Sequence, residues 1–387
     1  MRIQAIEKID ALLQSSLDVA FPAAQMVILH RGGSVLERAV GYHDPEARRH
    51  PIDPDMRFDL ASVSKLFTVA AFMALVEAGR VSLDQPVSTV LKTFIGARAI
   101  QPQPDPLGSG KLHAIVPATA ETVDASRTTF RQLLTHTSGL PAWLPLWKMA
   151  QAMQRDGAGD EVIQQRMREM ALQTAFAYPA GAHVVYSDVG LILIGWAMEQ
   201  IDGKPLAAIV RERVAQPLGL ASIGYGPIPC AQAVPTELYA HQGRRMCGEV
   251  HDENAWALHG IAGHAGVFGH ARDVAAFGEA LRRSLVGEGT FLKRETLREM
   301  TRLQAQEDDV RRGIGFALWS PNPRAMSHAL SRSTFGHLGF TGTSLWIDPE
   351  RELTFVCLTN RVYYGRGGED VMTPFRAALS KAVADAV

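Results

Sequence analysis

Cysteine is scarce in this 387-residue chain: Cys230, Cys247 and Cys357 are the whole set, with no CxxC pair among them. So sparse a set makes no disulfide framework and has no zinc-site spacing; it points to a reducing compartment or to indifferent thiols. An excess of one charge is also lacking. Lysine and arginine number 39 against 40 acidic residues, for a formal net charge of -1. A nucleic-acid binder would show a basic stripe, and a charged tail would show a block of one sign; the chain has neither. No stretch approaches the roughly 18 consecutive apolar residues of a membrane span. The first segment, "MRIQAIEKIDALLQ", carries Glu7 and Asp10 where a secretory signal would carry an unbroken apolar region. Internal repeats and low-complexity tracts are missing. These absences lead to the expectation of a cytoplasmic protein with no nucleic-acid or membrane partner. At 47% hydrophobic and 20% charged residues, the composition is that of an ordinary globular chain, long enough for two intimately packed domains.

What the chain does contain is ordered by periodicity. Ile3, Ile6, Ile9, Leu12 and Leu13 fall on one side of a helix over 3–19. Two apolar runs flank Arg31-Gly32-Gly33, which predicts a β-hairpin. Residues 62–78 read as a helix apolar nearly all round, closed by Gly79, and such a helix is central and buried. The stretch 95–126 is rich in Pro, Gly, Ala and Thr and reads as a long loop. Its Gly108-Ser109-Gly110-Lys111 is no phosphate loop, because the spaced first glycine and the Ser/Thr after the lysine are missing. Helical patterns dominate from 128 to about 220, notably over 188–201 and 204–216. Short strand-like runs return from 314 ("GFALW", "TSLWID", "LTFVCLT"), followed by a terminal helix near 369–386. Strands at both ends with helices between predict an α/β (α+β) fold: a central antiparallel sheet flanked by helices. One domain would comprise 1–94 and 305–387, and a mainly helical domain, 95–304, would be inserted in it.

Within the core helix, "FDLASVSKLF" places Lys65 three residues after Ser62. That spacing puts both on one helical face. A serine near a helix start has its hydroxyl beside unpaired backbone N–H groups, which can hold a developing oxyanion. A lysine desolvated there would have a lowered pKa and could accept the serine proton. Alone, Ser-x-x-Lys is a weak signal, and a capping serine beside a surface lysine is the plain alternative. Further on, Tyr186-Ser187-Asp188 stands at the mouth of another apolar helix, and His337-Leu338-Gly339 leads into the strand-like segments. Singly these read as a core tyrosine, a helix cap and a turn histidine. The segment 250–270 holds His251, His259, His264 and His270 among glycines, with spacings that match no zinc motif. Trp143 and Trp147 follow "SGLP" and are either a lid over a site or helix-packing aromatics.

Taken together and in order, Ser62-x-x-Lys65, Tyr186-x-Asp188 and His337-x-Gly339 resemble the penicillin-recognising serine hydrolases. The likeness is to class C β-lactamases and their relatives: family VIII esterases, D-aminopeptidases and low-molecular-weight penicillin-binding proteins. "RQLLTHTSGLP" (131–141), "AQPLGL" (215–220), the 250–269 segment and "LTNRV" (358–362) extend it from about residue 5 to the C-terminus. The resemblance implies a cofactor-free acyl-enzyme mechanism. Ser62 would be the nucleophile, with Lys65 and Tyr186 shuttling its proton and the Tyr186 pKa lowered by neighbouring cations. Backbone N–H groups of Ser62 and Phe340 would form the oxyanion hole. Asp188, His337 and Gly339 would face the substrate.

Two departures bear on substrate. Asp188 stands where many members carry asparagine, and an ionised aspartate cannot donate to a substrate carbonyl. It could instead pair with Lys65 and hold it charged, leaving the base role to Tyr186. His337 replaces a lysine with a partner charged only when protonated, able to bond near Tyr186 or to meet a substrate carboxylate. Both favour a small ester or amide over a lactam. The competing readings are a lactam-directed β-lactamase or penicillin-binding protein, and a non-catalytic binding module on the same fold.

Overall fold

The computed structural model describes residues 3–104, 112–113, 122–239 and 243–387. An eight-stranded antiparallel sheet organises the molecule. In chain order its strands are β1 (Ala23–His30), β2 (Gly33–Gly41), β3 (Ala305–Glu307), β4 (Val310–Arg312), β5 (Ala317–Leu318), β6 (Phe335–Leu338), β7 (Ser344–Asp348) and β8 (Leu353–Thr359). In space they run β3-β4-β5-β6-β7-β8-β1-β2. The N-terminal hairpin thus adds to the edge of the C-terminal meander, with Val27 opposite Val356.

Both faces of the sheet are covered, so β8 reads as an unbroken apolar run, as doubly buried strands do. Its alternate residues serve different cores. Leu353, Phe355 and Cys357 pack with Ile9, Leu13 and Leu379 from α1 (Ile3–Ser16) and the C-terminal helix Glu369–Ala384. Val356 and Leu358 belong to the larger core on the opposite face. There the helix Ala271–Val286 packs on the sheet, and a Cβ at Gly278 would come within 2.8 Å of Leu345 and Thr354.

The helix α2 (Ser64–Glu77) runs through this larger core. Leu66, Phe67, Val69, Phe72 and Leu75 are all fully buried, and Phe67 stacks on Phe277 at 4.3 Å between centroids. The expected helix over 62–78 therefore divides: Ser62 lies in a separate 3₁₀ turn, Ala61–Val63, and the α-helix begins two residues later. The first helix stops at Ser16, three residues short of its expected end.

The 95–126 stretch departs from a plain loop. Ala97–Ala99 pairs with Thr122–Asp124, and Gln103–Pro104 with Leu112–His113, so its two arms form antiparallel ladders. Strands this short carry no readable alternation. Gly108–Lys111 lies outside the described residues.

The cysteine expectation is overturned. Cys230 and Cys247 are joined in a disulfide, and only Cys357 is free and buried. A chain reversal brings the two segments together, with the Ile228 N–H bonded to the Gly248 carbonyl at 2.8 Å. That pairing removes the cysteine argument for a reducing compartment. No described helix is long and apolar enough to cross a membrane.

Candidate active site

The turn that presents Ser62 is built before its helix starts. Asp59 is buried, and its carboxylate accepts from the N–H of Ala61 at 2.8 Å and from the N–H of His251 at 2.6 Å. Burial raises the Asp59 pKa against those hydrogen bonds. Ala61 is held at φ 46°, a left-handed conformation that non-glycine residues rarely adopt and that costs about 1–3 kcal/mol. This strained residue turns the chain so that Ser62 is half-exposed while its neighbours Ala61 and Val63 are buried.

Lys65 lies one turn on and is 1% exposed. Its ammonium donates to Ser62 Oγ at 2.8 Å and to the His264 carbonyl at 3.0 Å, and it meets Asp188 Oδ1 at 2.7 Å. Burial alone would lower its pKa. The Asp188 carboxylate and the Tyr186 phenol outweigh burial, and the net shift is upward. The expectation of a lysine with a lowered pKa is therefore corrected: Lys65 rests as an ammonium because Asp188 supplies its counter-charge.

Asp188 is free for this role because it does not cap its helix. Ser187 caps Asp188–Asp202, accepting from the Gly190 N–H at 3.2 Å and donating to the Pro141 carbonyl at 2.7 Å. The His264 carbonyl reaches Lys65 through a close approach at Gly263, where a Cβ would sit 2.0 Å from the Leu191 carbonyl oxygen. His264 Nε2 lies 2.8 Å from Asp252, whose own pKa is lowered: burial raises it, but His264, the Ala255 N–H and Lys65 prevail.

Tyr186 stands beside this pair, with Lys65 Nζ 4.9 Å from its ring centroid. Its hydroxyl is buried without an aligned hydrogen-bond partner, and Lys65 and Ser62 are the polar groups next to it. The lowered tyrosine pKa implied by the resemblance is also corrected. Burial raises it further than the Lys65 charge lowers it, so the phenol keeps its proton at rest.

The His337 ring lies 5.9 Å from that of Tyr186 and is 4% exposed. Its Nδ1 bonds to the Leu338 carbonyl at 2.7 Å, which requires the proton on Nδ1, while Nε2 is buried without a partner. Burial first, then Lys65 and Arg312, push its pKa down to about 3. His337 is neutral and does not offer a cation to a substrate carboxylate.

The strand end carrying Gly339 and Phe340 is tied to the Ser62 turn. Thr341 Oγ1 donates to the Asp59 carbonyl at 2.9 Å and Thr343 Oγ1 to the Leu60 carbonyl at 2.8 Å. A Cβ at Gly339 would sit 2.0 Å from Thr343 Oγ1 and 2.7 Å from the Leu60 carbonyl oxygen, so only glycine allows this approach. Phe340 is held from behind: its carbonyl accepts from Arg361 Nε at 2.7 Å, and its ring stacks on His251 at 5.7 Å.

The four clustered histidines disperse, each to its own partner. His251 meets Glu237, His259 meets Asp160, His264 meets Asp252, and His270 caps the Ala271–Val286 helix. Asp188, Asp252 and His264 do converge, and the ammonium of Lys65 is the cation that serves them. Trp147 lines a cavity of about 470 Å³ with Ile163, Trp256 and His259, a lining that includes none of Ser62, Lys65 or Tyr186.

Two site residues escaped the sequence reading. His136, inside "LLTHTSGL", is buried 4.6 Å from the Tyr186 ring and accepts the Ser187 N–H on Nδ1 at 3.1 Å. The motif itself was the available signal. Arg312, on β4, places its guanidinium 5.4 Å over the same ring. Nothing in "DDVRRGIG" distinguishes it from a solvated charge.

A family model described as Beta-lactamase matches residues 6–375. The chain is 27% identical over 389 residues to a protein of Salmonella agona (strain SL483) named "Putative D-alanyl-D-alanine carboxypeptidase", covering 92% of this chain and 83% of that one. Its fold matches that of EstCE1, a hydrolase with promiscuous acyltransferase activity, with a TM-score of 0.71, 22% identity and 98% of each chain covered. It also matches a penicillin-binding protein homologue from Caulobacter crescentus, with a TM-score of 0.71, 17% identity, and 99% of this chain and 98% of that one covered. The family match across nearly the whole sequence, with the Ser62–Lys65 pair at the centre of the fold it predicts, places the chain in the beta-lactamase family of serine hydrolases.

Proposed function

We propose that this chain hydrolyses small esters or amides through an acyl-enzyme on Ser62, with Asp188 as the resting proton acceptor acting through Lys65. The observation that carries this reading is the row Ser62 Oγ, Lys65 Nζ, Asp188 Oδ1, with steps of 2.8 and 2.7 Å. Neither an ammonium nor a protonated phenol can take a proton as it stands. The carboxylate can. As Ser62 Oγ attacks the substrate carbonyl carbon, its proton passes to Lys65 Nζ and a Lys65 proton passes to Asp188. The carbonyl π pair moves to oxygen, where the N–H groups of Ser62 and Phe340 stabilise it. The Phe340 N–H donates to no described residue, and is free for this.

Collapse of the tetrahedral intermediate expels the leaving group, which takes the Tyr186 phenol proton; Asp188 restores that proton through Lys65. Water then repeats the sequence on the acyl-enzyme. The relay leaves Lys65 an ammonium and Asp188 neutral while the negative charge moves to the tetrahedral oxyanion, so the net charge of the buried site is unchanged. The names of the relatives, a carboxypeptidase and a hydrolase with acyltransferase activity, fit ester and amide chemistry of this kind. Asp188, committed to Lys65, has no N–H to offer a lactam substrate, which favours simple esters or amides.

The test is intact-mass analysis after fluorophosphonate treatment of wild type and Ser62→Ala, with p-nitrophenyl butyrate and nitrocefin assayed in parallel. One adduct on wild type, none on the variant and ester turnover well above nitrocefin turnover are expected. An adduct that persists on Ser62→Ala removes Ser62 as nucleophile. Efficient nitrocefin turnover reverses the substrate preference.

A further inference from the structure

We propose that His43, Cys230 and Cys247 form a redox-gated zinc site, closed as a disulfide when oxidised and offering three ligands to one Zn²⁺ when reduced. It lies outside the Ser62 machinery and does not depend on the acyl-enzyme reading.

Three distant segments meet here. His43 follows β2 by two residues, Cys230 opens the 3₁₀ turn Cys230–Gln232, and Cys247 precedes Gly248. His43 Nε2 lies 3.9 Å from the Sγ of Cys230 and 3.9 Å from that of Cys247. All three ligand atoms fall within 4.8 Å of one another. Among the described residues, one other such group converges, Asp188, Asp252 and His264, and Lys65 already serves it. The Cys230 carbonyl oxygen, 3.2 Å from His43 Nε2, keeps the ring aimed at the sulfurs.

The backbone holds these residues in place without help from the S–S bond. The His43 N–H donates to the His50 carbonyl at 2.8 Å, and Asp44 closes the same loop by accepting from the His50 N–H at 2.8 Å. Around Cys230, the Ala233 N–H donates to the Cys230 carbonyl at 3.1 Å. The Arg57 N–H donates to the Gln232 carbonyl and the Val234 N–H to the Arg57 carbonyl, each at 2.8 Å. Gly248, at φ 75°, passes so close to Ile228 that a Cβ would sit 2.0 Å from its carbonyl oxygen. Reduction therefore leaves two thiols beside one imidazole.

That ligand set suits zinc. Tetrahedral zinc bonds thiolate at about 2.3 Å and imidazole at about 2.0 Å, which places its ligands about 3.5–3.8 Å apart. The 3.9 Å separations of Nε2 from the sulfurs are already close to this spacing. The sulfurs part by rotation about their Cα–Cβ bonds. Two thiolates balance the charge of Zn²⁺, and a neutral imidazole binds through Nε2 with its proton on Nδ1. Water completes the fourth position, because Cys230 is exposed. In the conversion, an external dithiol gives two electrons and two protons to the S–S bond and itself becomes a disulfide. The two protein thiols then release their protons to solvent as they bind Zn²⁺, whose oxidation state does not change.

The clamp has something to hold. The chain between Cys230 and Cys247 carries Glu237, which meets His251 at 2.7 Å, and the His251 N–H holds Asp59 of the Ser62 turn. Zinc re-closes this segment when the disulfide is open.

The full chain is reduced with a phosphine, freed of it without oxygen and titrated with Co²⁺ as the spectroscopic stand-in for Zn²⁺. A thiol count of three in place of one verifies the reduction. One Co²⁺ per reduced chain is expected, with the absorption of tetrahedral thiolate-bound cobalt, displaced by Zn²⁺ and not seen with the oxidised chain. Reduction should lower Tm, and Zn²⁺ should raise it again. His43→Ala should weaken Co²⁺ affinity at least tenfold, and Cys247→Ser should abolish the one-to-one binding. The comparison of oxidised with reduced wild type requires no variant and stands however the variants fold. No thiolate–cobalt absorption from reduced wild type overturns the proposal, as does binding that survives in Cys247→Ser or is unchanged in His43→Ala. Loss of the folded circular dichroism spectrum on reduction also overturns it, since the ligands must stay assembled without the disulfide. Ester turnover enters none of these readouts, so they succeed or fail separately from the acyl-enzyme reading.

Discussion

The two cations that flank the Tyr186 ring are treated in opposite ways. Lys65, 4.9 Å from the centroid, is almost wholly buried and has a carboxylate at 2.7 Å. Arg312, at 5.4 Å, is partly buried with its Nε enclosed, and no carboxylate among the described residues pairs with it. Burial of a charge without a partner is heavily disfavoured, so the fully enclosed cation must bring its counter-charge with it, while the partly buried one keeps some contact with water. The paired wall can move protons internally at no change in net charge.

Breaking the paired wall at Lys65 should have the largest effect. Lys65→Met removes the ammonium that links Ser62 to Asp188, and kcat for p-nitrophenyl butyrate is expected to fall about 10⁴-fold, at the upper end for general acid–base catalysis. A loss under tenfold would take Lys65 out of the relay. Gly339→Ala comes next: with Thr343 Oγ1 and the Leu60 carbonyl in the way of a Cβ, the Phe340 N–H is displaced, and kcat should fall about 10²–10³-fold, as when one oxyanion donor is lost. KM should change little.

Asp188→Asn sharpens the contrast, because it makes the Lys65 wall resemble the Arg312 wall. A loss of about 10²-fold at neutral pH is expected, within the usual range for a proton acceptor. With its counter-charge gone and burial unchanged, Lys65 shifts to a lower pKa and becomes a base once it loses its proton to solvent. The variant should therefore recover activity as pH rises, where wild type does not. A pH–rate profile parallel to that of wild type would show that Asp188 is not the acceptor.

The smallest effect concerns stability. His337 takes a proton near pH 6.5 when unfolded but only at about pH 3 when folded. Between those values the unfolded state holds the extra proton, so stability falls as pH falls, by up to about 1.4 kcal/mol per pH unit for each such site. Buried His136, also held well below its ordinary value, adds a second proton. His337→Gln should reduce the slope of unfolding free energy against pH by about one proton in urea melts between about pH 4 and 6. An unchanged slope would mean that His337 titrates normally.

The sequence held a good part of this. Ser62 and Lys65 are readable because three residues within one turn meet whatever the rest of the chain does. The strands of "TSLWID" and "LTFVCLT" are readable as short apolar runs, and their burial on both sides follows. The resemblance brought Tyr186 and His337 into the same site, and the structure places both rings within 6 Å of each other. Arg312 was not readable, because Arg311-Arg312 on an edge of the meander looks like any solvated pair until its surroundings are known. Cys230 and Cys247 were not, because 17 residues of chain must reverse to join them.

By itself the sequence determined the Ser62–Lys65 pair, the short apolar runs that make the centre of the sheet, and the apolar helix that buries Lys65, since all of these are set by neighbours within a few residues. Only the tertiary structure decided the charge states on which the chemistry turns. Whether Lys65 is an ammonium, Tyr186 a phenol and His337 neutral depends on burial opposed by partners from distant parts of the chain, and the sign of that difference exists only once the chain has folded.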